Sequence, residues 1–554
     1  MTFKKHRTLV VTVFLAVAVS LSFAFDKDQK DFEMSKGLDL YYSVLRELNM
    51  FYVDTIQPEK LIKASIDAML EELDPYTTFI PETDMNDFKF STTGEYGGIG
   101  ALIAQRDDYV IISDPYEGNP AQLSGLKAGD KLLEANGEDL KGKSVSEVSD
   151  ILKGTPGTTL KLKVERYGKS KPIEIELQRE KIVISPVPVA QMLDDKVGYI
   201  RLTSFTDKAS KDMLKALLEL KAQGAESLIL DLRSNPGGIL GEANKIVNMF
   251  VPKGQTIVYT KGKVSQWDKV YKATQHPVDT VMPLAVLVNS ESASAAEIVA
   301  GAIQDLDRGV ILGRRTFGKG LVQATRGIGY NSQLKLTSAK YYIPSGRCIQ
   351  ALDYTHRNED GSVGKIPDSL ISEFKTKNGR IVKDGGGIMP DVTYDYSKPG
   401  NITYALIRDY IVFDYATKYY TEHPEISSIE AFNFSDQDYE DFKAYVANKE
   451  FNYETNSEDA LKELRKMAQL ESYDELIADE LASLEEKLKH DVSKDLDVFK
   501  KEISELLRME IAKRYFYQNG SYLEALKEDD WVNQAQNLLQ NREEYQAILS
   551  ASAE

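Results

Sequence analysis

The chain has 554 residues, a formal net charge of −18 and 42% hydrophobic residues. That length predicts about three or four domains, and the acidic balance excludes a nucleic-acid partner, because phosphate binding needs a basic surface. A single cysteine, Cys348, allows no intrachain disulfide and no cysteine-rich zinc site, and none of the five histidines stands in a metal-ligand spacing such as H-E-x-x-H.

Lys4, Lys5, His6 and Arg7 precede an uncharged apolar run from Leu9 to Leu21 and a small-x-small site, Ser22-Phe-Ala24. This is the pattern of a signal peptide over residues 1–25. The remainder is therefore expected outside the cytoplasm, in the periplasm or cell envelope, and membrane-anchored if the segment is not cleaved. Residues 26–93 read as a helical segment: Leu38, Tyr41, Tyr42, Leu45 and Leu48 recur at helical spacing, as do Leu61, Ile62, Ile66, Met69 and Leu70. Two prolines in Leu73-Asp-Pro-Tyr-Thr-Thr-Phe-Ile-Pro81 then end it.

From Gly94 the texture changes. A glycine-rich loop, Gly94-Glu-Tyr-Gly-Gly-Ile-Gly100, leads into an apolar run, Ala101-Leu-Ile-Ala104. Ser124-Gly-Leu-Lys-Ala-Gly-Asp-Lys-Leu-Leu-Glu-Ala-Asn-Gly137, a short helix with Val145, Val148, Ile151 and Leu152, and a strand from Leu160 to Glu165 follow. Residues 94–180 resemble a PDZ domain. In that family the glycine loop offers backbone N–H groups to a peptide's C-terminal carboxylate, and the peptide adds as a strand. The resemblance places that nest at Gly97, Gly98, Ile99 and Gly100.

Residues 181–400 alternate strand and helix, the signature of an α/β layer. Val197-Gly-Tyr-Ile-Arg-Leu202 reads as a strand and Ala209 to Leu220 as an amphipathic helix. Ser227-Leu-Ile-Leu-Asp-Leu-Arg233 reads as a buried strand that runs into Ser234-Asn-Pro-Gly-Gly238, a turn able to expose N–H groups to an oxyanion. A further buried strand, Leu284-Ala-Val-Leu-Val288, a small-residue turn, and Ser294 at the start of an apolar helix come next. After a second short strand, Gly309-Val-Ile-Leu312, stands Phe317-Gly-Lys-Gly320. If the two strands are neighbours, Ser294 and Lys319 converge at one sheet edge. A serine hydroxyl becomes a nucleophile when a base takes its proton, and a lysine can be that base if burial holds it neutral. The alternative reading of Ser294 is a helix cap, since Ser294 and Glu297 form an S-x-x-E capping box.

Other chemistry competes. Gly313-Arg-Arg-Thr-Phe-Gly-Lys-Gly320 approaches a nucleotide-binding loop, but Gly320 stands where a Ser or Thr must hold magnesium. A Ser-His-Asp triad would have to use His276 or His356, neither of which lies in a recognisable sheet-edge motif. A non-catalytic PDZ peptide-binding scaffold is the third alternative.

Four motifs, Leu230-Asp-Leu-Arg-Ser-Asn-Pro-Gly-Gly238, Ser292-Ala-Ser-Ala-Ala-Glu-Ile298, Thr316-Phe-Gly-Lys-Gly-Leu-Val-Gln323 and Gly387-Ile-Met-Pro-Asp391, occur in this order after the PDZ-like module. Together with that module they resemble the C-terminal processing (tail-specific) serine proteases over residues 35–395. The resemblance implies a crotonase-like α/β protease core, Ser294 as nucleophile, Lys319 as its base and Gln323 orienting the lysine. It also implies an oxyanion hole from the backbone N–H groups of Gly237 or Gly238 and of Ala295. No metal and no cofactor are expected, and the partners are protein or peptide substrates with free C-termini. Ala296 departs from the family, many members of which repeat a serine there.

Arg357 to Gly387 reads as a polar surface loop. Residues 401–554 are acidic and helical, with Leu481, Leu484 and Leu488 and then Ile503, Leu506 and Leu507 at helical spacing. They are expected to form a solvated helical domain, or a surface for a homodimer or an adaptor. The fold class read from the sequence is multidomain α/β: a protease core with an inserted PDZ-like β-rich domain, a helical N-terminal segment and a helical C-terminal extension.

Overall fold

The computed structural model describes residues 31–394, 398–449, 451–488 and 491–550. The leader expected over residues 1–25 lies outside them. The chain forms two compact units, Met1–Phe79 with Thr325–Leu336, and Ile80–Ala324 with Thr337–Glu554. In the first, residues 31–51 are helical and α1 (Pro58–Glu71) starts on a proline, whose missing N–H is unneeded in a first turn. The hydroxyls of Tyr41 and Ser65 join these helices at 2.6 Å. Among the described residues no helix is long and apolar enough to cross a membrane.

In the second unit, β1 (Glu95–Gly98) leaves the core and β7 (Glu180–Val183) returns to it as an antiparallel pair. Between them lies the PDZ module: β2 (Ala101–Arg106), β3 (Tyr109–Pro115), β4 (Lys131–Ala135), β5 (Thr159–Glu165) and β6 (Ile173–Gln178), paired antiparallel in that order. Helix α2 (Val145–Leu152) carries a reciprocal capping box between Ser144 and Glu147. It buries Val148 and Leu152 against Val110, Ile112, Leu132 and Leu160.

The α/β core is a six-stranded sheet. Its strands are β8 (Val189–Met192), β9 (Val197–Arg201), β10 (Ser227–Asp231), β11 (Leu284–Val288), β12 (Val310–Gly313) and, after the hairpin strands β13 (Leu321–Gly329) and β14 (Ser332–Tyr342), β15 (Val392–Thr393). The order β8-β9-β10-β11-β12-β15 is parallel throughout except for β8. Every residue of β10 and β11 is buried, as continuous apolar runs require of strands covered on both faces. Leu228, Leu230, Leu284 and Val286 meet α3 (Ala209–Ala222), α4 (Leu240–Asn248) and α5 (Ala295–Asp305) on one face.

The other face is covered by the end of the chain. Ile229, Ala285, Leu287 and Leu312 pack against Val532, Ala535, Leu538 and Leu539 of α8 (Asp530–Gln540) and Tyr545 and Leu549 of α9 (Arg542–Ser550). The expectation of a solvated or docking extension thus does not hold for its last two helices, which form the third layer of the core. Upstream, α6 (Ile411–Glu422) packs on the long α7 (Lys500–Lys527) around Tyr415, Phe442 and Ile511. Arg106 of the PDZ module makes a bidentate pair with Asp414 of α6 at 2.5 and 2.6 Å.

The segment from Arg357 to Gly387 is not a simple surface loop. Arg380 within it donates to Asp307, Asp391 and the carbonyl of Gln304, and Gly387 must be glycine because a Cβ there would lie 2.6 Å from the Thr316 carbonyl oxygen.

Leu539→Ala removes a side chain packed between α8 and the sheet. It is expected to cost about 2–5 kcal/mol and to lower the thermal midpoint; an unchanged midpoint would show that the terminal helices are dispensable to the core.

Candidate active site

Residues β10 and β11 are neighbouring parallel strands, so the turns that follow them open at the same sheet edge, where open α/β sheets place their sites. Ser294 occupies the junction between β11 and α5 with φ 55° and ψ −111°, a conformation few side-chain-bearing residues adopt. Such a backbone stores on the order of 1–3 kcal/mol and persists only where its surroundings over-determine it. Here they do. Its N–H donates to Glu297 Oε2 at 2.8 Å, and its carbonyl accepts from the Tyr341 hydroxyl at 3.1 Å and from the Ile298 N–H at 3.0 Å. The Glu297 carboxylate thus supplies the reciprocal half of the capping box that the S-x-x-E spacing predicts.

The turn after β10 presses on this elbow. A Cβ at Gly237 would lie 2.7 Å from the Ala293 carbonyl oxygen and 2.8 Å from Ser294 Cβ, so that position is closed to any side chain. Asn235, fully buried, sets the turn: its amide donates to the Leu202 carbonyl at 2.7 Å and accepts from the Gly237 N–H at 2.9 Å. Its own carbonyl accepts from the Ala293 N–H at 2.9 Å. The Gly237 N–H is therefore engaged, whereas those of Gly238 and Ala295 have no intramolecular partner among the described residues. Further back, the buried Asp231 carboxylate accepts from the Tyr199 hydroxyl and from Arg233, which also reaches Asp529 ahead of α8 at 2.6 Å. Burial alone would raise the Asp231 carboxyl, but Arg233 and Arg201 hold it below its ordinary value.

The loop of Lys319 meets the elbow through one carboxylate. Glu297 Oε1 accepts from the Thr316 hydroxyl at 2.5 Å and the Gly318 N–H at 2.7 Å. Glu297 Oε2 accepts from the Lys319 N–H at 2.8 Å in addition to that of Ser294. The backbones of the two predicted reactive residues thus share a single oxygen. The Phe317 N–H also donates to the Ser292 carbonyl at 3.1 Å. Gly318 has φ 88°, and a Cβ there would lie 2.4 Å from Ala351 Cβ. Ser294 and Lys319 are both half-buried. Gln323, also half-buried, donates to the Thr337 hydroxyl at 3.2 Å. Burial pushes the Glu297 carboxyl up to about 7, against the pull of its four donors.

Sequence reasoning found Ser294, Lys319 and Gln323 but read Glu297 only as a local cap. Its partners at Thr316, Gly318 and Lys319 lie about 20 residues on, beyond what an S-x-x-E spacing reports. Tyr341 gave no local signal at all. The nucleotide-loop alternative fails structurally, because Gly313–Gly320 is followed by the strand β13 rather than a helix. His356 pairs with Asp353 at 2.8 Å on an exposed strand, whereas the Ser294 backbone is held by Glu297 and Tyr341.

In the PDZ module Gly97 and Gly98 lie in β1, paired with Lys181 and Glu180. Ile99 is a core residue whose carbonyl accepts from the Ala121 N–H, and Gly100, with φ 72°, packs on Asn119. The Tyr96 ring lies over Gly98; burial raises its phenol, and the N–H groups of Ala101 and Gly100 act in the opposite sense.

Asn235→Ala would leave the Leu202 carbonyl and the Gly237 N–H unpaired. The expected loss is about 1–3 kcal/mol per buried group, read as a lower thermal midpoint; an unchanged midpoint would show that the turn does not depend on the amide.

Comparison with known proteins agrees with this layout. Residues 196–356 match the model described as "Peptidase family S41", residues 111–166 match "PDZ domain", and residues 402–539 match "Probable PDZ-protease, C-terminal helical domain". The chain is 33% identical over 353 residues to a carboxy-terminal-processing protease of Bartonella bacilliformis, covering 62% of this chain and 80% of that one. It is 33% identical over 352 residues to a protein of Staphylococcus aureus described as "Probable CtpA-like serine protease", covering 62% and 69%. Among solved structures it resembles a photosystem II D1 C-terminal processing protease, at 28% identity and a TM-score of 0.34, over 64% of this chain and 86% of that one.

Proposed function

This chain belongs to the C-terminal processing serine proteases that carry a PDZ domain, and from that premise we propose that it cleaves peptide bonds with a dyad of Ser294 and Lys319. Its substrates are peptides or proteins. Lys319 takes the Ser294 proton as the hydroxyl attacks the substrate carbonyl. The developing oxyanion receives the N–H groups of Gly238 and Ala295, the donors left unpaired beside the elbow, while Gly237 supplies the close approach. Lys319 returns the proton to the leaving amine, and water then hydrolyses the acyl-enzyme. Gln323 orients the lysine. The observation that carries this reading is the shared Glu297 oxygen, which holds the Ser294 and Lys319 backbones side by side.

The PDZ loop of Gly97, Gly98, Ile99 and Gly100 captures the substrate's C-terminal carboxylate, with an apolar last residue in the groove between β2 and α2. The basic and apolar leader of residues 1–25 directs the enzyme out of the cytoplasm. A homodimer or adaptor contact through the C-terminal helices falls to the segment upstream of α8, since α8 and α9 are committed to the sheet.

Hydrolysis of an unfolded test protein with an apolar C-terminus is expected to fall about 10⁴-fold or more in Ser294→Ala and about 10²–10⁴-fold in Lys319→Ala, with far-ultraviolet circular dichroism unchanged. Full activity in Ser294→Ala would overturn the mechanism, and peptide binding without hydrolysis in the wild type would favour a scaffold. The pH profile gives an independent check. A base must be deprotonated, and Glu297, with its carboxyl near 7, must be ionised to accept four bonds. Both requirements make kcat/KM rise with pH through and above neutrality; a profile flat from pH 6 to 10 would contradict Lys319 as base.

A further inference from the structure

Glu297 is fully buried, and in the chemistry proposed above it touches neither the substrate nor the transferred proton. Its surroundings are unusual for a helix-cap carboxylate. Each oxygen accepts two bonds: Oε1 from the Thr316 hydroxyl and the Gly318 N–H, Oε2 from the N–H groups of Ser294 and Lys319. One donor comes from the elbow and three come from the lysine loop. An ionised carboxylate has four lone-pair sites, so all are used and no room is left for a proton without losing a bond. A further hydrogen bond between loop and elbow runs from the Phe317 N–H to the Ser292 carbonyl. On its far side the loop is fixed to Ile388 through Thr316, to Ala351 through Gly318 and to Gln350 through Gly320.

We propose that Glu297 is a positioning residue of the dyad: its buried carboxylate locks the loop of Lys319 to the strained elbow of Ser294, so that the two side chains keep a reactive separation. The inference rests on the Ser-Lys reading of the site and goes beyond it by naming what sets the dyad's geometry. Glutamine keeps the shape, but its amide NH₂ must face either the N–H groups of Ser294 and Lys319 or the Thr316 hydroxyl and the Gly318 N–H, so in either orientation it meets at least one N–H donor that repels it. One loop must then move, and a displacement of about 1 Å at a reacting pair lowers turnover roughly 100-fold. Substrate binding through the PDZ groove is untouched.

The test compares wild type, Glu297→Gln, Glu297→Asp, Ser294→Ala and Lys319→Ala on an internally quenched peptide with an apolar free C-terminus, together with hydrogen–deuterium exchange of each full-length protein. The expected result for Glu297→Gln is kcat lower by about 100-fold, KM within a few-fold, and faster exchange confined to residues 289–298 and 315–323. Glu297→Asp, which keeps the charge but is too short to span both loops, is expected to lie between Glu297→Gln and wild type. Turnover at the wild-type level in Glu297→Gln overturns the proposal, provided Ser294→Ala and Lys319→Ala are inactive. Faster exchange across the whole α/β core in both Glu297 variants also overturns it, because the residue is then only a core support. Retained activity in Ser294→Ala or Lys319→Ala instead sinks the dyad itself, whatever Glu297 does.

Discussion

The proposed dyad of Ser294 and Lys319 is borne on two separate loops that must be held to within a fraction of an ångström, and a parallel sheet alone does not do this. Adjacent strands β11 and β12 bring the Ser294 turn and the Lys319 loop to one edge, but loops are the adjustable part of such a fold. The constraint that removes the freedom is a carboxylate with four donors, placed where every residue of α5 is buried. A buried, fully satisfied charge is costly to disturb, because breaking any one bond leaves a donor unpaired in a dry interior. The same carboxylate stabilises the strained backbone at Ser294. Strain, loop register and helix start are thus different aspects of a single arrangement.

The second constraint is coverage of the sheet. Parallel strands buried on both faces need two layers of helix. Helices α3, α4 and α5 supply one; the other comes from α8 and α9, the last described elements of the chain. This gives the C-terminal extension a structural role at its end and a connecting role along its length. Asp414 of α6 grips Arg106 of the PDZ module, and Asp529, just before α8, grips Arg233 at the turn beside Ser294. The peptide-recognising module and the turn that closes on the elbow are therefore both tied to the same run of helices.

Much of this was legible in the sequence, and the reasons are local. β11, Leu284–Val288, and the centre of β10, Leu228-Ile-Leu230, announce themselves as apolar runs because both their faces are covered. Ser294 stands at a strand-to-helix junction, and Gly320 stands where a nucleotide-binding loop needs a Ser or Thr. What was not legible depends on distant partners. Glu297 is three residues from Ser294 and read as a cap, but its larger role appears only when Thr316, Gly318 and Lys319 are brought to it. The apolar spacing of Val532, Ala535, Leu538 and Leu539 marks an amphipathic helix without saying what lies beneath it. Arg380, in a stretch that reads as a polar loop, is nearly buried because Asp307 and Asp391 meet it from either side.

The central claim is that Ser294 becomes covalently attached to the substrate. Its most direct test is to quench turnover of a slowly hydrolysed peptide ester in acid and map the acylated residue by mass spectrometry. The account predicts one acyl group per chain at most, on the peptide containing Ser294, and none in Ser294→Ala. Turnover with no adduct at any time point, or an adduct that maps to another residue, would contradict it.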